Sequence, residues 1–138
     1  MILLIGGYSR SGTTMLWKLF NRHPDIRLTY EFREFYALGK PFREYEREIL
    51  EHMRYRGIYG NRVLGPPDTG NKLLRGINVL QCYVFAARYL FRLCRSRMAP
   101  IDSAAVEATL KSLFPQVRVV GDKYPNYVFM LDKMGYHA

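Results

Sequence analysis

The sequence has little of several features that would define a protein class. Its 138 residues hold two cysteines, Cys82 and Cys94, too few for a disulfide scaffold, and we expect both to be buried thiols on one helix. No apolar run reaches the roughly 18 residues that a membrane-spanning helix requires. Repeats and low-complexity tracts are also missing, and an apolar content of 49% excludes a disordered chain. The length then predicts a single globular domain over residues 1–138.

Acidic side chains are scarce beside basic ones. Twelve Asp and Glu stand against 21 Lys and Arg, 15 of them arginine, so the formal net charge is +9. Because the guanidinium fork suits phosphate and sulfate, this balance favours an anionic ligand. A basic surface also attracts nucleic acid, yet there is neither zinc-finger spacing nor an aromatic RNA-binding signature, so we expect no specific nucleic-acid partner. The N-terminal residues lack the features of a signal peptide, which predicts a cytoplasmic location.

The most informative stretch is residues 1–20. Ile2–Ile5 form a short apolar run typical of a buried parallel strand, and apolar residues recur at helical spacing from Met15 onward. Residues 7–14 between them read GYSRSGTT, with the Gly, four residues, Gly, one residue, Ser/Thr outline of a phosphate-binding loop. In such loops the backbone N–H groups face one concavity, and the following helix adds partial positive charge. The stretch therefore predicts a strand, a phosphate-binding loop and a helix.

One position separates this loop from the nucleoside-triphosphate version. That version places a lysine directly after the second glycine, where this chain has Thr13. The cation is instead Arg10, and Ser11, Thr13 and Thr14 supply hydroxyl donors. This donor set suits the terminal monophosphate of a nucleotide better than a triphosphate with magnesium.

Two segments resemble a known family. Arg-Ser-Gly-Thr-Thr at residues 10–14, an apolar helix and His23-Pro24-Asp25 together resemble the 5′-phosphosulfate-binding loop of sulfotransferases that use 3′-phosphoadenosine 5′-phosphosulfate (PAPS), in their Golgi-like and tyrosylprotein branches. Residues 119–125, VVGDKYP, are similar to the family's Lys-x-Pro element.

The resemblance implies roles for individual residues. Glu31 would be the general base, Lys123 would reach the sulfuryl group, and Arg10 would bind the 5′-phosphate and stabilise the leaving group. PAPS would be the co-substrate, with no metal. The cofactor-binding residues would be Ser9, Arg10, Ser11, Gly12, Thr13 and Thr14.

The rest of the chain alternates strand and helix signals. In the first half we expect a helix over residues 12–22, a strand over 26–29 and a surface helix within 36–59. A basic amphipathic helix follows over 72–98, interrupted near Gly76. The remaining elements are a helix from Asp102 or Ser103 through Leu113, a strand over 117–120, and a last helix toward Met130 and Met134. This alternation predicts an α/β fold with a mainly parallel sheet. The resemblance implies the three-layer α/β/α arrangement of P-loop NTPase-like proteins, incomplete in this chain.

Three polar clusters follow the three predicted strands: residues 9–14, Glu31 with Arg33, and Asp122 with Lys123. If those strands are neighbours, the clusters meet in one crevice at the carboxyl edge of the sheet. Simpler interpretations stay open. Glu31 can be an ion-pair partner of Arg27 or Arg33, and Lys123 can be an exposed loop lysine. His23 beside Pro24 favours a capping or packing role over that of a base, Arg33 is a candidate acceptor-site cation, and Asp122 a candidate for orienting Lys123.

Alternative functions also stay open. The family's second cofactor element, which grips the 3′-phosphate, has no counterpart here, so we expect residues 1–138 to be the N-terminal part of a sulfotransferase-like domain. The alternatives are a P-loop kinase acting on a small metabolite and a non-catalytic nucleotide-binding fragment. The acceptor (sugar, lipid, peptide or small alcohol) and the oligomeric state are left undetermined by the sequence.

Overall fold

A three-stranded parallel sheet organises the molecule. The computed structural model describes residues 1–8, 11–58, 63, 72–94 and 100–130. Its strands are Ile2–Ile5 (β1), Ile26–Tyr30 (β2) and Val119–Lys123 (β3), in the order β1-β3-β2. Lys123 at the end of the central strand pairs with Ile5 on one side and Tyr30 on the other, so the three strands end level. The predicted α/β fold with a parallel sheet is confirmed.

The strands are connected by helices. They are α1 (Thr13–Phe20), α2 (Phe42–Ile58), α3 (Lys72–Cys94) and α4 (Ser103–Leu113), with 3₁₀ helices at Glu34–Ala37 and Pro125–Met130.

The two faces of the sheet are covered unequally. On one face, Trp17 of α1 packs with Ile5, Leu28 and Tyr30 in a small buried cluster. On the other, Val120 of β3 joins a large cluster built from α2, α3, α4 and the first 3₁₀ helix. Because successive residues of a strand point to opposite faces, β1 contributes to both clusters, whereas the apolar residues of β2 join the small cluster and Val120 of β3 joins the large one. Helices on both faces of the sheet make the three layers that the resemblance implied.

Several element boundaries differ from expectation; β2, for example, extends one residue further than predicted, to Tyr30. α1 ends at Phe20 rather than Arg22, because the Asn21 side chain donates to the Trp17 carbonyl (3.1 Å) and accepts from the Leu28 amide (3.0 Å), which caps the helix. β3 spans Val119–Lys123 rather than residues 117–120. Its Gly-Asp-Lys end has weak strand propensity, but pairing on both sides holds it extended.

The middle helices also correct the sequence interpretation. α2 is not merely a surface helix, since Tyr45, Ile49 and Met53 recur on one side and are fully buried, and α2 packs against α3. The predicted break near Gly76 is wrong, because α3 runs through it without interruption. Cys82 on α3 is buried as expected, whereas Cys94 is only half-buried.

The last elements agree with the sequence more closely. α4 begins after Asp102, whose side chain accepts from the Ala105 amide at 2.7 Å, and ends at Leu113. The helix expected toward Met130 is a 3₁₀ helix, Pro125–Met130, and its expected continuation to Met134 lies outside the described residues. In the part of the chain that the structure describes, no helix is both long and apolar enough to cross a bilayer.

Candidate active site

The β1–α1 loop is shaped by two glycines. Gly12 precedes α1 with φ 79°, a left-handed conformation that favours glycine. At Gly7 a Cβ would lie 2.7 Å from Ser11 Oγ, so a larger residue would displace the loop. The Gly7 amide donates to the Pro125 carbonyl at 3.0 Å, which ties the loop to the exit of β3. Ser9 and Arg10, predicted to bind the cofactor, lie outside the described residues.

A cleft of about 610 Å³ lies where this loop meets the ends of β2 and β3. It is lined by Gly12, Thr13, Thr14, Met15, Lys18, Glu31, Lys123 and Pro125. The structure thus brings Glu31 and Lys123 to the same cleft as three of the predicted loop residues. The reason is the strand order, since β3 lies between β1 and β2 and all three end level.

Glu31 and Lys123 form an ion pair inside this cleft. Lys123 Nζ donates to Glu31 Oε1 at 2.5 Å, with the Lys123 side chain 4% exposed and that of Glu31 26%. The ammonium also lies 4.5 Å from the centroid of the Tyr30 ring, a cation–π contact. Lys123 is therefore not an exposed loop lysine, and the partner of Glu31 comes from β3 rather than from Arg27 or Arg33.

Sequence reasoning missed two side chains of this region. Lys18 lines the cleft one helical turn after Thr14, a spacing of four that could have placed it on the same face. The hydroxyl of Tyr30 lies 3.1 Å from Thr14 Oγ1, which links the end of β2 to the first turn of α1. No local pattern identifies Tyr30, because its partners are distant in sequence.

Asp122 faces away from the cleft. It is fully buried on the opposite face of β3, where it accepts from Thr29 Oγ1 (2.8 Å), Tyr127 Oη (2.6 Å) and the amides of Phe32 (3.2 Å) and Arg33 (2.9 Å). The expectation that it orients Lys123 is wrong, because adjacent strand residues point to opposite faces.

A second buried carboxyl accompanies Asp122. Burial, and then the charge of Asp122, raise the pKa of Glu34 well above its ordinary value, which favours its protonated form. The Thr29 hydroxyl lies 2.6 Å from Glu34 Oε1 and 2.8 Å from Asp122 Oδ1. One hydroxyl carries one proton, so a protonated Glu34 supplies the second proton that these contacts require.

His52 of α2 contacts the backbone of Glu31. Its Nε2 lies 2.8 Å from the Glu31 carbonyl oxygen, which only accepts, so the nitrogen carries the proton. Burial lowers the pKa of His52 to about 4, and the ring is therefore neutral at pH 7. Because the folded-state pKa is depressed, this histidine stabilises the fold above about pH 6.5, and that contribution is lost as the pH falls toward 4.

Two other candidates lie outside the cleft. The Arg33 guanidinium lies 4.7 Å from the Tyr124 ring centroid and 5.6 Å from that of Tyr36, and it lines a neighbouring cleft with Lys40 and His52. His23 is exposed, and its Nδ1 accepts from the Asp25 amide at 3.2 Å. That bond fits the local capping role expected for His23. In the described residues, no group of three or more His, Cys, Asp or Glu side chains could hold a metal ion.

Comparison with known proteins adds one match. The model of the family described as "Sulfotransferase family" matches residues 3–135, nearly the whole chain. No curated protein and no solved structure matches the chain significantly.

Proposed function

The chain belongs to the sulfotransferase family, and on that premise we propose that it moves a sulfuryl group from PAPS to a hydroxyl or amine acceptor, with Glu31 as general base. The observation that carries the proposal is that Glu31 and Lys123 line the same cleft as the loop residues Gly12, Thr13 and Thr14. The Glu31–Lys123 pair, an acid–base pair suited to proton transfer and to anion binding, faces the glycine and hydroxyls of a phosphate-binding loop.

The loop residues fit the phosphosulfate end of PAPS. Gly12 has no side chain to block a ligand at the start of α1, and Thr13 and Thr14 bring hydroxyls and first-turn amides to the same cleft. Ser11, Ser9 and Arg10 complete the donor set in the proposal. Lys18 adds a second cation beside the loop. Bound there, PAPS supplies an activated sulfuryl group on a phosphate leaving group.

The chemistry then follows from three charged residues. Glu31 accepts the proton of the acceptor hydroxyl as its oxygen bonds to sulfur. Lys123 donates hydrogen bonds to the sulfuryl oxygens, whose negative charge grows in the transition state. The sulfur–oxygen bond to the 5′-phosphate breaks, its electron pair stays on the phosphate oxygen, and Arg10 neutralises that charge. Lys123 thus exchanges part of its contact with Glu31 for one with the transferred group.

The finer assignments are proposals of the same kind. Arg33, stacked beside two tyrosine rings, is a candidate acceptor-site cation near Glu31. The acceptor is a sugar, lipid, peptide or small alcohol. In this proposal residues 1–138 belong to one sulfotransferase-like domain, and the cytoplasmic location stays a prediction from the sequence.

A competition between nucleotides tests the proposal. We expect adenosine 3′,5′-bisphosphate to bind more tightly than ATP with magnesium in calorimetric titrations, because Thr13 stands where a triphosphate loop has lysine. Tighter binding of ATP with magnesium would reject the proposal in favour of a P-loop kinase. Preferential bisphosphate binding without sulfuryl transfer from PAPS would leave a nucleotide-binding protein that is not an enzyme.

A further inference from the structure

The proposed base stands on an unusual piece of backbone. Glu31 has φ 57° and Arg33 φ 69°, the only non-glycine residues with positive φ in the part of the chain that the structure describes. L-residues in this left-handed conformation are strained, and such strain persists only where surrounding contacts hold it. Contacts with the rest of the protein must therefore hold the turn of residues 30–33, and its backbone hydrogen bonds identify them.

The amides of the turn are held from β3. The buried Asp122 carboxylate accepts from Arg33 N at 2.9 Å and from Phe32 N at 3.2 Å, and Thr29 and Tyr127 fix the carboxylate itself. Hydrogen bonds from amides to an ionised carboxylate are stronger than those between neutral groups.

The carbonyls of the turn are held from α2. His52 Nε2 donates to the Glu31 carbonyl at 2.8 Å, and Arg56 Nη1 donates to the Tyr30 carbonyl. His52 and Arg56 are 9% and 1% exposed, and they stand one helical turn apart on the buried side of α2. Two elements from separate parts of the sequence thus hold opposite polar groups of one turn.

We infer that Asp122, His52 and Arg56 are positioning residues that fix the 30–33 turn and thereby set where the Glu31 carboxylate stands relative to Lys123 and the phosphate-binding loop. The inference rests on the proposed function, in which Glu31 is the base. None of the three side chains lines the cleft. His52 also lines the neighbouring cleft with Arg33, where a lost acceptor contact would raise KM. A loss of kcat shared by variants of all three residues would therefore pass through the position of Glu31, whereas a purely structural role would change stability alone.

Histidine 52 offers the cleanest test of this inference. We expect His52→Ala to lower kcat on the order of 10–100-fold, since small misplacements of a reacting group have effects of this size. The dissociation constant of adenosine 3′,5′-bisphosphate should stay within about twofold, because the loop residues are untouched. His52→Gln, which keeps an N–H donor on a side chain of similar length, should recover most of the lost rate.

Ile49→Ala provides the matched control. Ile49 is fully buried one turn earlier on α2 and has no side-chain donor. It should lower the unfolding free energy without lowering kcat of the folded protein. Equal kcat losses in His52→Ala and Ile49→Ala would overturn the inference.

Amide hydrogen exchange supplies a readout that needs no activity. Asp122→Asn should accelerate exchange at Phe32 and Arg33 more than at Leu28 in β2. The asparagine side chain has one accepting oxygen, so it cannot accept from both backbone amides as the two carboxylate oxygens do. Unchanged protection at Phe32 and Arg33 in both Asp122→Asn and His52→Ala refutes the inference, as does lost protection with unchanged kcat. If the wild type neither transfers sulfuryl groups nor prefers the bisphosphate, the proposed function fails, and exchange then decides the inference by itself.

Discussion

The two faces of β3 differ sharply at its last two residues. Lys123 points into the cleft on the α1 side, where its ammonium is paired with a carboxylate that is one-quarter exposed. Asp122 points into the large core, where four donors surround a fully buried carboxylate. Because side chains alternate along a strand, β3 places an ion pair in the cleft on one face and a fully hydrogen-bonded carboxylate in the core on the other. The role proposed for Lys123 would make the first face the reactive one.

Glu31→Gln should have the largest effect, and it tests the cleft face. The amide cannot accept the acceptor's proton, so we expect kcat to fall about 10²–10⁴-fold with the bisphosphate affinity unchanged. Sulfuryl transfer from PAPS measures the first and calorimetry the second. A normal rate would remove Glu31 from the mechanism and erase the functional difference between the faces.

Lys123→Ala should have the next largest effect. It removes the donor proposed for the sulfuryl oxygens, and losses of one such donor reach about 10²–10³-fold in kcat. The control is Lys111→Ala on α4, which does not line the cleft and whose ammonium forms an i,i+4 pair with Glu107 at 2.8 Å. Similar rates for the two variants would contradict a role for Lys123.

Glu34→Gln should have the smallest effect, and it tests the core face. Because the folded-state pKa of Glu34 is raised, its stabilising contribution is complete below about pH 4.5 and is lost as the pH rises toward the raised value. The loss is at most about 1.4 kcal/mol per pH unit. A glutamine stays uncharged at every pH and so does not lose this contribution. The variant should therefore unfold at a higher urea concentration than the wild type at pH 8, and the difference between their urea midpoints should be smaller or reversed at pH 4.

The kinetics of the same variant sharpen the comparison. Glu34 does not line the cleft, and glutamine resembles the protonated acid in shape and as a donor. We therefore expect kcat within about twofold of wild type. Equal urea midpoints at pH 8 would mean that Glu34 is not buried as a neutral acid.

Local sequence signals predicted the elements whose causes are local. The β1–loop–α1 unit follows from an apolar run, two glycines and helical spacing, and α4 follows from the Asp102 cap. The errors fall where tertiary contacts outweigh propensity. Pairing on both sides keeps Gly121, Asp122 and Lys123 within β3. In α2, Tyr45, Ile49 and Met53 are buried although most residues of the helix are charged or polar.

The sequence by itself determined the chemistry available to this protein: a glycine- and hydroxyl-rich loop after a strand, a carboxylate after the second strand and a lysine at the end of the third. Those signals are local, because strand ends, glycines and side-chain types are read within a few residues. Only the tertiary structure decided that the third strand lies between the other two, which pairs Glu31 with Lys123 across 92 positions of sequence. Only it decided that Asp122, His52 and Arg56 hold the Glu31 turn, because hydrogen bonds between distant segments depend on packing that no local pattern encodes.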